Sequence, residues 1–300
     1  MKAVVTGADG FLGRALMQRL PEATGLDLAD GDISRPGAWQ AKVRGEVVIH
    51  TAAAVGMPRD ADHFWHVNTL GTRNVLAAAK ANGVRRFVLF SSVTVFGNDF
   101  PDQVTEDYPT RPTGVPYADS KIAAEHVCLI AEGIEVVIVR PGDVYGPGSR
   151  PWTLLPLQMI RSRQVAVPTS GIHSPVYVDD VVDGVLAAAA SPAAVGQIIT
   201  LSGGVGVPTA QYFDRYAHML GRRAVPRVPR ALMLAGAGLA NRVGLLTDLS
   251  PAGVRYLADR RGTYSIDKAG RLLDWQPKVD LDDGMARTQR WLAAEGLLGQ

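Results

Sequence analysis

The chain holds one cysteine among its 300 residues, so an intramolecular disulfide is impossible. That scarcity is expected of a reducing compartment, and a cytoplasmic location is expected with it. An excess of one charge is missing too. Lys and Arg number 31 against 29 Asp and Glu, a net charge of +2, too small and too scattered to suit a nucleic-acid partner. Long hydrophobic runs are absent: the most apolar stretch, residues 231–240, is closed by Arg230 and Arg242 and falls far short of the ~20 residues that span a bilayer. A helix lining an apolar pocket, or lying under the surface, is the expectation there. The opening Met-Lys-Ala-Val-Val-Thr-Gly reads as a strand rather than a signal peptide. There are no repeats or low-complexity tracts. His63-Phe-Trp-His66 has no Cys or carboxylate constellation beside it, so no metal site is expected.

What is present is an ordinary globular composition, 47% hydrophobic and 20% charged, long enough for one large domain or two coupled ones. The first half alternates β-rich runs (2–6, 24–26, 47–50, 86–91 and 135–140) with helical patterns (11–20, 36–43, 67–82 and 117–132). This alternation predicts an α/β chain with a doubly wound parallel sheet covered on both faces. Cys128, mid-way along the last of those helices, reads as a small buried residue. After Pro141, Gly and Pro become frequent and the alternation loosens until 176–185 and the strand-like 197–201. The remainder is mostly helical in pattern. The expected division is residues 1–148 with 176–202 as one domain, and 149–175 with 203–300 as a smaller, discontinuous, mostly helical lobe.

Four groups of residues are candidates for chemistry. Gly7-Ala-Asp-Gly10-Phe11-Leu12-Gly13 follows the first strand and opens the first helix, as a pyrophosphate at a helix N-terminus requires. Asp27 follows the second strand, where a carboxylate holds adenosine ribose hydroxyls and repels a 2′-phosphate. No Arg or Lys follows it before Arg35, which favours NAD over NADP. Asp32 and Ile33 are candidates for the adenine edge. Tyr117 and Lys121 are four apart in a predicted helix, so they address one point, and a nearby cation is expected to lower the pKa of a phenol. That pair suits proton transfer. Ser91 and Ser92 end the fourth long strand, at the sheet edge where ligands bind in open α/β folds. Serines there also serve as turn formers.

These pieces run in order with others: His50-Thr-Ala-Ala53, Val67-Asn68…Gly71-Thr72, Ser91-Ser92-Val-Thr-Val-Phe-Gly97, Arg140-Pro141-Gly142, Val176-Tyr-Val-Asp-Asp180-Val and Lys268-Ala-Gly-Arg-Leu-Leu-Asp-Trp-Gln-Pro277. Together they resemble the extended short-chain dehydrogenase/reductases, which include NAD-dependent epimerases and dehydratases, over nearly the whole chain. The resemblance implies a Rossmann domain and NAD. It gives Tyr117 the role of catalytic acid/base, sets Lys121 on the nicotinamide ribose, and sets Ser92 on the reacting oxygen. By the same resemblance Ala52 and Ala53 lie along the cofactor, Pro141 and Val144 lie near the nicotinamide, and Asn68 braces its neighbours. A homodimer through the helices at 67–82 and 117–132 is also implied.

The chain departs from its sugar-converting relatives. About five residues separate Asp27 from Asp32-Ile33, where relatives usually insert a helix and a strand. Dehydratases place Asp-Glu after the catalytic hydroxyl, whereas Val93 and Thr94 stand here, without the acid and base that eliminate water. Nucleotide-sugar epimerases carry an Arg before the Tyr-Val-Asp-Asp segment to clamp the diphosphate, and Gly171-Ile-His-Ser-Pro175 stands in its place. Arg260 and Arg261 are a paired Arg on a loop, which ordinarily forms a solvated face. Candidate substrate contacts are Thr94, Asp143, Trp152 and His173, although His173 meets a phosphate only when protonated. The apolar 229–240 stretch resembles 3β-hydroxysteroid-dehydrogenase-like members. With Trp152, Leu154, Leu155 and Met159 it could wall a pocket for a hydrophobic ring, and core packing accounts for these residues equally well. The expected activity is hydride transfer between nicotinamide and a secondary alcohol or ketone. Nucleotide-sugar 4-epimerisation is the alternative, and a catalytically silent dinucleotide sensor is the third reading, disfavoured by the retained Tyr117 and Lys121.

Overall fold

The computed structural model describes residues 1–56, 61–163, 165–242 and 250–299. Numbered along the chain, strands β1 (Ala3–Thr6), β2 (Thr24–Leu26), β3 (Val47–His50), β4 (Arg86–Phe90) and β5 (Glu135–Pro141) are followed by the short β6 (Asp143–Tyr145), β7 (Val167–Pro168), β8 (Ile172–His173) and β9 (Pro175–Tyr177), then β10 (Ile198–Leu201). Six of them form one sheet in the order β10-β5-β4-β3-β1-β2, parallel throughout. The chain runs from β1 out to β2 and returns to pair β3 on the other side of β1. The strand order reverses there, and a crevice opens at the carboxyl ends.

Every residue of β1, β3 and β4 is buried, as expected of strands covered on both faces. Alternate side chains feed two cores. Val5, Ile49, Val88 and Val139 pack with Leu16 of helix α1 (Phe11–Arg19) and Val181 of α6 (Val178–Ala190). On the opposite face Val4, Val48, Leu89 and Ile138 meet Val75 of α3 (Thr72–Ala81) and Ala124 of α4 (Pro116–Leu129). Cys128 lies in that second core, 1% exposed.

Two predicted helices differ in form. The 36–43 pattern is a 3₁₀ turn, Ala38–Lys42, around buried Trp39, whose indole donates to the Arg35 carbonyl at 3.0 Å. The 67–82 pattern starts inside a π-helical turn, Trp65–Gly71, which follows a short α2 (Ala61–Phe64) and leads into α3. Bonding to distant segments accompanies the widened turn: buried Asn68 exchanges hydrogen bonds with the Ala54 backbone (2.7 and 3.2 Å) and donates to Ser120 of α4 (3.0 Å). The 176–185 stretch divides into β9 and α6.

The later chain is helical: α5 (Leu155–Arg161), α7 (Thr209–Met219), α8 (Arg230–Arg242), α9 (Pro251–Asp259), α10 (Asp267–Leu273) and α11 (Leu281–Ala294). The link between α9 and α10 lies against the loop after β4. Thr263 O accepts from Val104 N and Val104 O accepts from Ser265 N, both at 3.0 Å, while the Asp102 carboxylate accepts from Thr263 N (2.8 Å) and Oγ1 (2.7 Å). No helix among the described residues is long and apolar enough to cross a membrane.

Candidate active site

The glycine turn has the shape its sequence predicts. Gly7 has φ +72°, and a Cβ there would lie 2.7 Å from Ala52 N. A Cβ on Gly13 would fall 1.9 Å from Gly7 O, so α1 starts hard against the loop. Gly10 precedes α1 without a side-chain cap, which leaves the first-turn N–H groups, at Phe11, Leu12 and Gly13, without intrahelical acceptors. A cradle that any Cβ would fill, at the open end of a helix and the switch point of the sheet, fits a pyrophosphate. Thr51 bonds Thr6 O (2.7 Å) at the strand ends, and Ala52 and Ala53 continue along the same edge, half-buried.

Asp27 stands after β2, with one carboxylate oxygen on Asp9 N (2.8 Å) and the other on its own neighbour, Leu28 N (2.7 Å). An open cavity of about 400 Å³ beside it is lined by Asp9, Arg14, Asp27 and Asp30, among others. Lys42 neutralises Asp30 at 2.6 Å. Asp32 bonds Ser34, which holds its carboxyl below the usual range. Ile33 packs against Gly71, where a Cβ would strike its Cδ1 at 2.8 Å. Arg14 escaped the sequence reading, which looked for a cation after Asp27. The signal was its place directly behind Gly13, on the first turns of α1.

Pro116 opens α4, and the Asp119 carboxylate accepts from Thr113 N (2.8 Å) and Gly114 N (2.9 Å), which fixes the entry to the helix. This sets Tyr117 on Ser92, to which its phenol is hydrogen-bonded. Lys121, one turn on and 5% exposed, donates to the Phe90 carbonyl at 2.8 Å. Ser92 also accepts from Thr94 N (3.1 Å) and Thr94 Oγ1 (3.0 Å). Ser92, Tyr117 and Lys121 therefore converge at the carboxyl end of β4. Burial pushes the Lys121 ammonium down to about 8 against the opposing pull of Glu125. Tyr117 corrects the expectation from its spacing: burial raises its phenol above 10, and the Ser92 hydrogen bond only partly offsets this. Lys121 spends a proton on the Phe90 carbonyl, and its charge does not outweigh desolvation of the phenolate.

The candidate substrate residues form a knot rather than an open wall. Asp143 in β6 is 1% exposed and two-pronged to Arg260, which is equally buried, at 3.2 and 2.7 Å. His173 Nδ1 lies 3.1 Å from the same carboxylate, and the Tyr256 hydroxyl donates to it at 2.9 Å. Trp152, half-buried, meets the His173 ring with centroids 4.8 Å apart. Burial disfavours the Asp143 carboxylate, yet the Arg260 charge keeps it far below the usual range, while burial lowers His173 and leaves it neutral. Arg260 thus corrects the reading of a solvated Arg pair: only Arg261 is exposed. Thr94 lies apart from the knot, on Ser92. Pro141 ends β5, and Val144, 7% exposed, pairs with Val176 within the main core.

A model of the NAD-dependent epimerase/dehydratase family matches residues 3–201. The chain belongs to that family. Its members carry out NAD-dependent chemistry, which agrees with the glycine cradle and with Tyr117 and Lys121. Among curated members, the chain is similar to a 2-alkyl-3-oxoalkanoate reductase of Stenotrophomonas maltophilia, 28% identical over 98% of this chain and 100% of the relative. It is also similar to a dTDP-glucose 4,6-dehydratase of Streptomyces griseus, 30% identical over 87% of this chain and 76% of the relative. Among solved structures, the epimerase Mth375 of Methanothermobacter thermautotrophicus superposes with a TM-score of 0.81 at 25% identity, covering 99% of this chain and 93% of that one. Family members thus include reductase, dehydratase and epimerase names. Among the described residues no group of three or more His, Cys, Asp or Glu is placed to hold a metal ion.

Proposed function

We propose that this protein is an NAD-dependent oxidoreductase that interconverts a ketone and a secondary alcohol on a largely apolar substrate. The observation that carries this reading is the convergence of Ser92, Tyr117 and Lys121 with Val93 and Thr94, rather than an acid–base pair, following Ser92. Val93 is buried in the core and Thr94 is bonded to Ser92, so elimination of water has no acid and base to use. Residues 1–148 with 176–202 hold the dinucleotide on this reading, and 149–175 with 203–300 surround the substrate. A pair of chains joined through α3 and α4 belongs to the same reading, and light scattering of the purified protein tests it.

NAD, when bound, supplies the hydride acceptor or donor at its nicotinamide ring. The glycine turn receives its pyrophosphate, Asp27 the adenosine ribose, and Lys121 the nicotinamide ribose. Ser92 holds the substrate oxygen by hydrogen bonding. Tyr117, like any phenol, keeps its proton at neutral pH, burial shifts its pKa further up, and the retained proton equips it to protonate the oxygen of a carbonyl undergoing reduction. Support for an apolar substrate comes from Arg260, whose charge is taken up by Asp143 rather than offered to a diphosphate. The similarity to a 2-alkyl-3-oxoalkanoate reductase points the same way.

A panel of ketones and 3-oxoacids with NADH, alongside UDP-sugars with NAD, tests the proposal. Ketone-dependent loss of NADH absorbance is the expected result. Interconversion of UDP-sugars without net NADH would establish the epimerase instead, and tight NAD binding without turnover in either panel would leave a sensor.

A further inference from the structure

We propose that Glu125 is the positioning residue of this site: its carboxylate sets the ends of β4 and β5 against the Tyr117–Lys121 face of α4 and supplies the fixed anion beside Lys121. The inference rests on the oxidoreductase reading for its purpose, though not for its geometry. From sequence alone Glu125 looks like a mere helix former in an Ala-rich segment.

In space it is a junction. Tyr117, Lys121 and Glu125 recur at four-residue intervals and so form one stripe along α4. One oxygen of Glu125 accepts from Ser91 Oγ (2.5 Å) and Arg140 Nε (2.9 Å), and the other from Arg140 Nη2 (2.7 Å). Ser91 directly precedes Ser92, and Arg140 directly precedes Pro141. Each partner of the carboxylate is therefore the chain neighbour of a residue assigned to the reacting centre. Arg140 extends the tie: its guanidinium lies 4.8 Å from the centroid of the Phe96 ring and reaches the Glu106 carbonyl at 3.4 Å. The Glu106 carboxylate accepts from Thr200 N of β10 at 2.7 Å. Both Glu125 and Arg140 are at most 2% exposed. A buried ion pair is a poor source of stability compared with apolar packing of the same volume, so stability alone gives little reason for this one, whereas fixing register does.

The charges facing Lys121 are few. From α4 come Tyr117, Glu125 and Cys128, from β4 the Phe90 carbonyl, from β3 His50, and from β5 Arg140 behind Glu125. Burial keeps His50 neutral, its pKa taken down to about 3, and pushes the Cys128 thiol up to about 12. Among these groups Glu125 supplies the carboxylate, paired with the Arg140 guanidinium at 2.7 Å.

The test uses the full chain labelled with [ε-¹³C]lysine, with the Lys121 resonance assigned by its loss in Lys121→Met. Glu125→Gln should shift the Lys121 titration down by at least one pH unit. Glu125→Asp retains the charge but is one methylene too short to reach Ser91 and Arg140 together. It should leave the titration within half a unit and cut kcat by ~10²-fold, with KM changed less than threefold. The Asp variant also serves if Glu125→Gln does not fold. A Lys121 titration unmoved in folded Glu125→Gln would overturn the proposal, as would parental kcat in Glu125→Asp. The NMR readout needs no substrate. A parent inactive on every ketone would therefore sink the oxidoreductase reading and leave the Lys121 titration to judge Glu125 by itself.

Discussion

Arg140–Glu125 and Arg260–Asp143 are both buried, two-pronged pairs of a guanidinium and a carboxylate, yet they join the chain over different spans. Glu125 and Arg140 are 15 residues apart, on a helix and strand that pack together in any parallel sheet of this kind. Asp143 and Arg260 are 117 residues apart, and their contact brings the link after α9 onto β6. The near pair also binds Ser91, next to the proposed reacting centre, while the far pair is wrapped in His173, Tyr256 and Tyr264. The same ion pair thus serves two ends: alignment of elements already adjacent, and attachment of a segment that the sheet itself does not hold. The cofactor side should answer to mutation in turnover, and the far pair in stability.

The largest effect belongs to the cofactor side. Tyr117→Phe should lower turnover by ~10²–10⁴-fold while leaving NAD affinity and thermal unfolding close to those of the parent, as measured by steady-state kinetics, NAD titration and calorimetry. A matching fall in stability would blur the contrast. On the far side, Arg260→Met strands a buried carboxylate and should cost ~3–5 kcal/mol in urea unfolding, much of it recovered when Asp143→Asn is added. A cost below ~1 kcal/mol would mean that the far pair attaches nothing.

pH separates the two sides by sign. Lys121 has its folded pKa lowered to about 8 from an ordinary 10.5. Its burial therefore opposes folding below pH 8, and the opposition fades as pH rises from 8 towards the unfolded value. Lys121→Met should accordingly raise stability at pH 7, by up to ~3 kcal/mol, and the gain should be gone by about pH 10.5. Asp143 runs the other way. Its folded pKa lies far below the unfolded value, so it contributes stability above pH ~4 that is lost as the pH falls further. Denaturant midpoints of the parent, Lys121→Met and Asp143→Asn across pH 2–10.5 check both signs. The smallest effect concerns Cys128, three residues beyond Glu125 in the α4 sequence. Buried and with a raised pKa, it should resist alkylation in the native parent, and faster labelling in Glu125→Gln would show the near pair keeping that helix closed.

What the sequence disclosed follows from how local each signal is. Strand runs such as 47–50 and 86–91 announce themselves because a strand buried on both faces is apolar along its middle, as Val47-Val48-Ile49 and Phe87-Val88-Leu89-Phe90 are. The glycine turn is legible because Gly7 and Gly13 leave room that any Cβ would fill. Tyr117 and Lys121 are one helical turn apart, and Ser92 stands at a strand end. Glu125, Arg140 and Arg260 were opaque because ion pairing across 15 or 117 residues leaves no periodicity in the chain. Arg260 beside Arg261 looks like a surface pair until the fold brings Asp143 to it. The π-helical turn at Trp65–Gly71 was hidden for a similar reason: it accompanies the bonds that Asn68 makes, and those partners lie on other segments. The direction of the Tyr117 shift needed the burial of the phenol, which spacing alone does not report.

The sheet stops at β2, and this has a consequence for how copies of the chain meet one another. An outer strand presents unpaired backbone groups to any neighbour able to add itself in register. Here that template is three residues long and leads into Asp27 and Asp32, so a second copy would gain little pairing and would bring like charges together. Brevity and negative charge give this uncovered edge little to offer a second copy. Lengthening β2 with neutral β-branched residues would remove both safeguards at once.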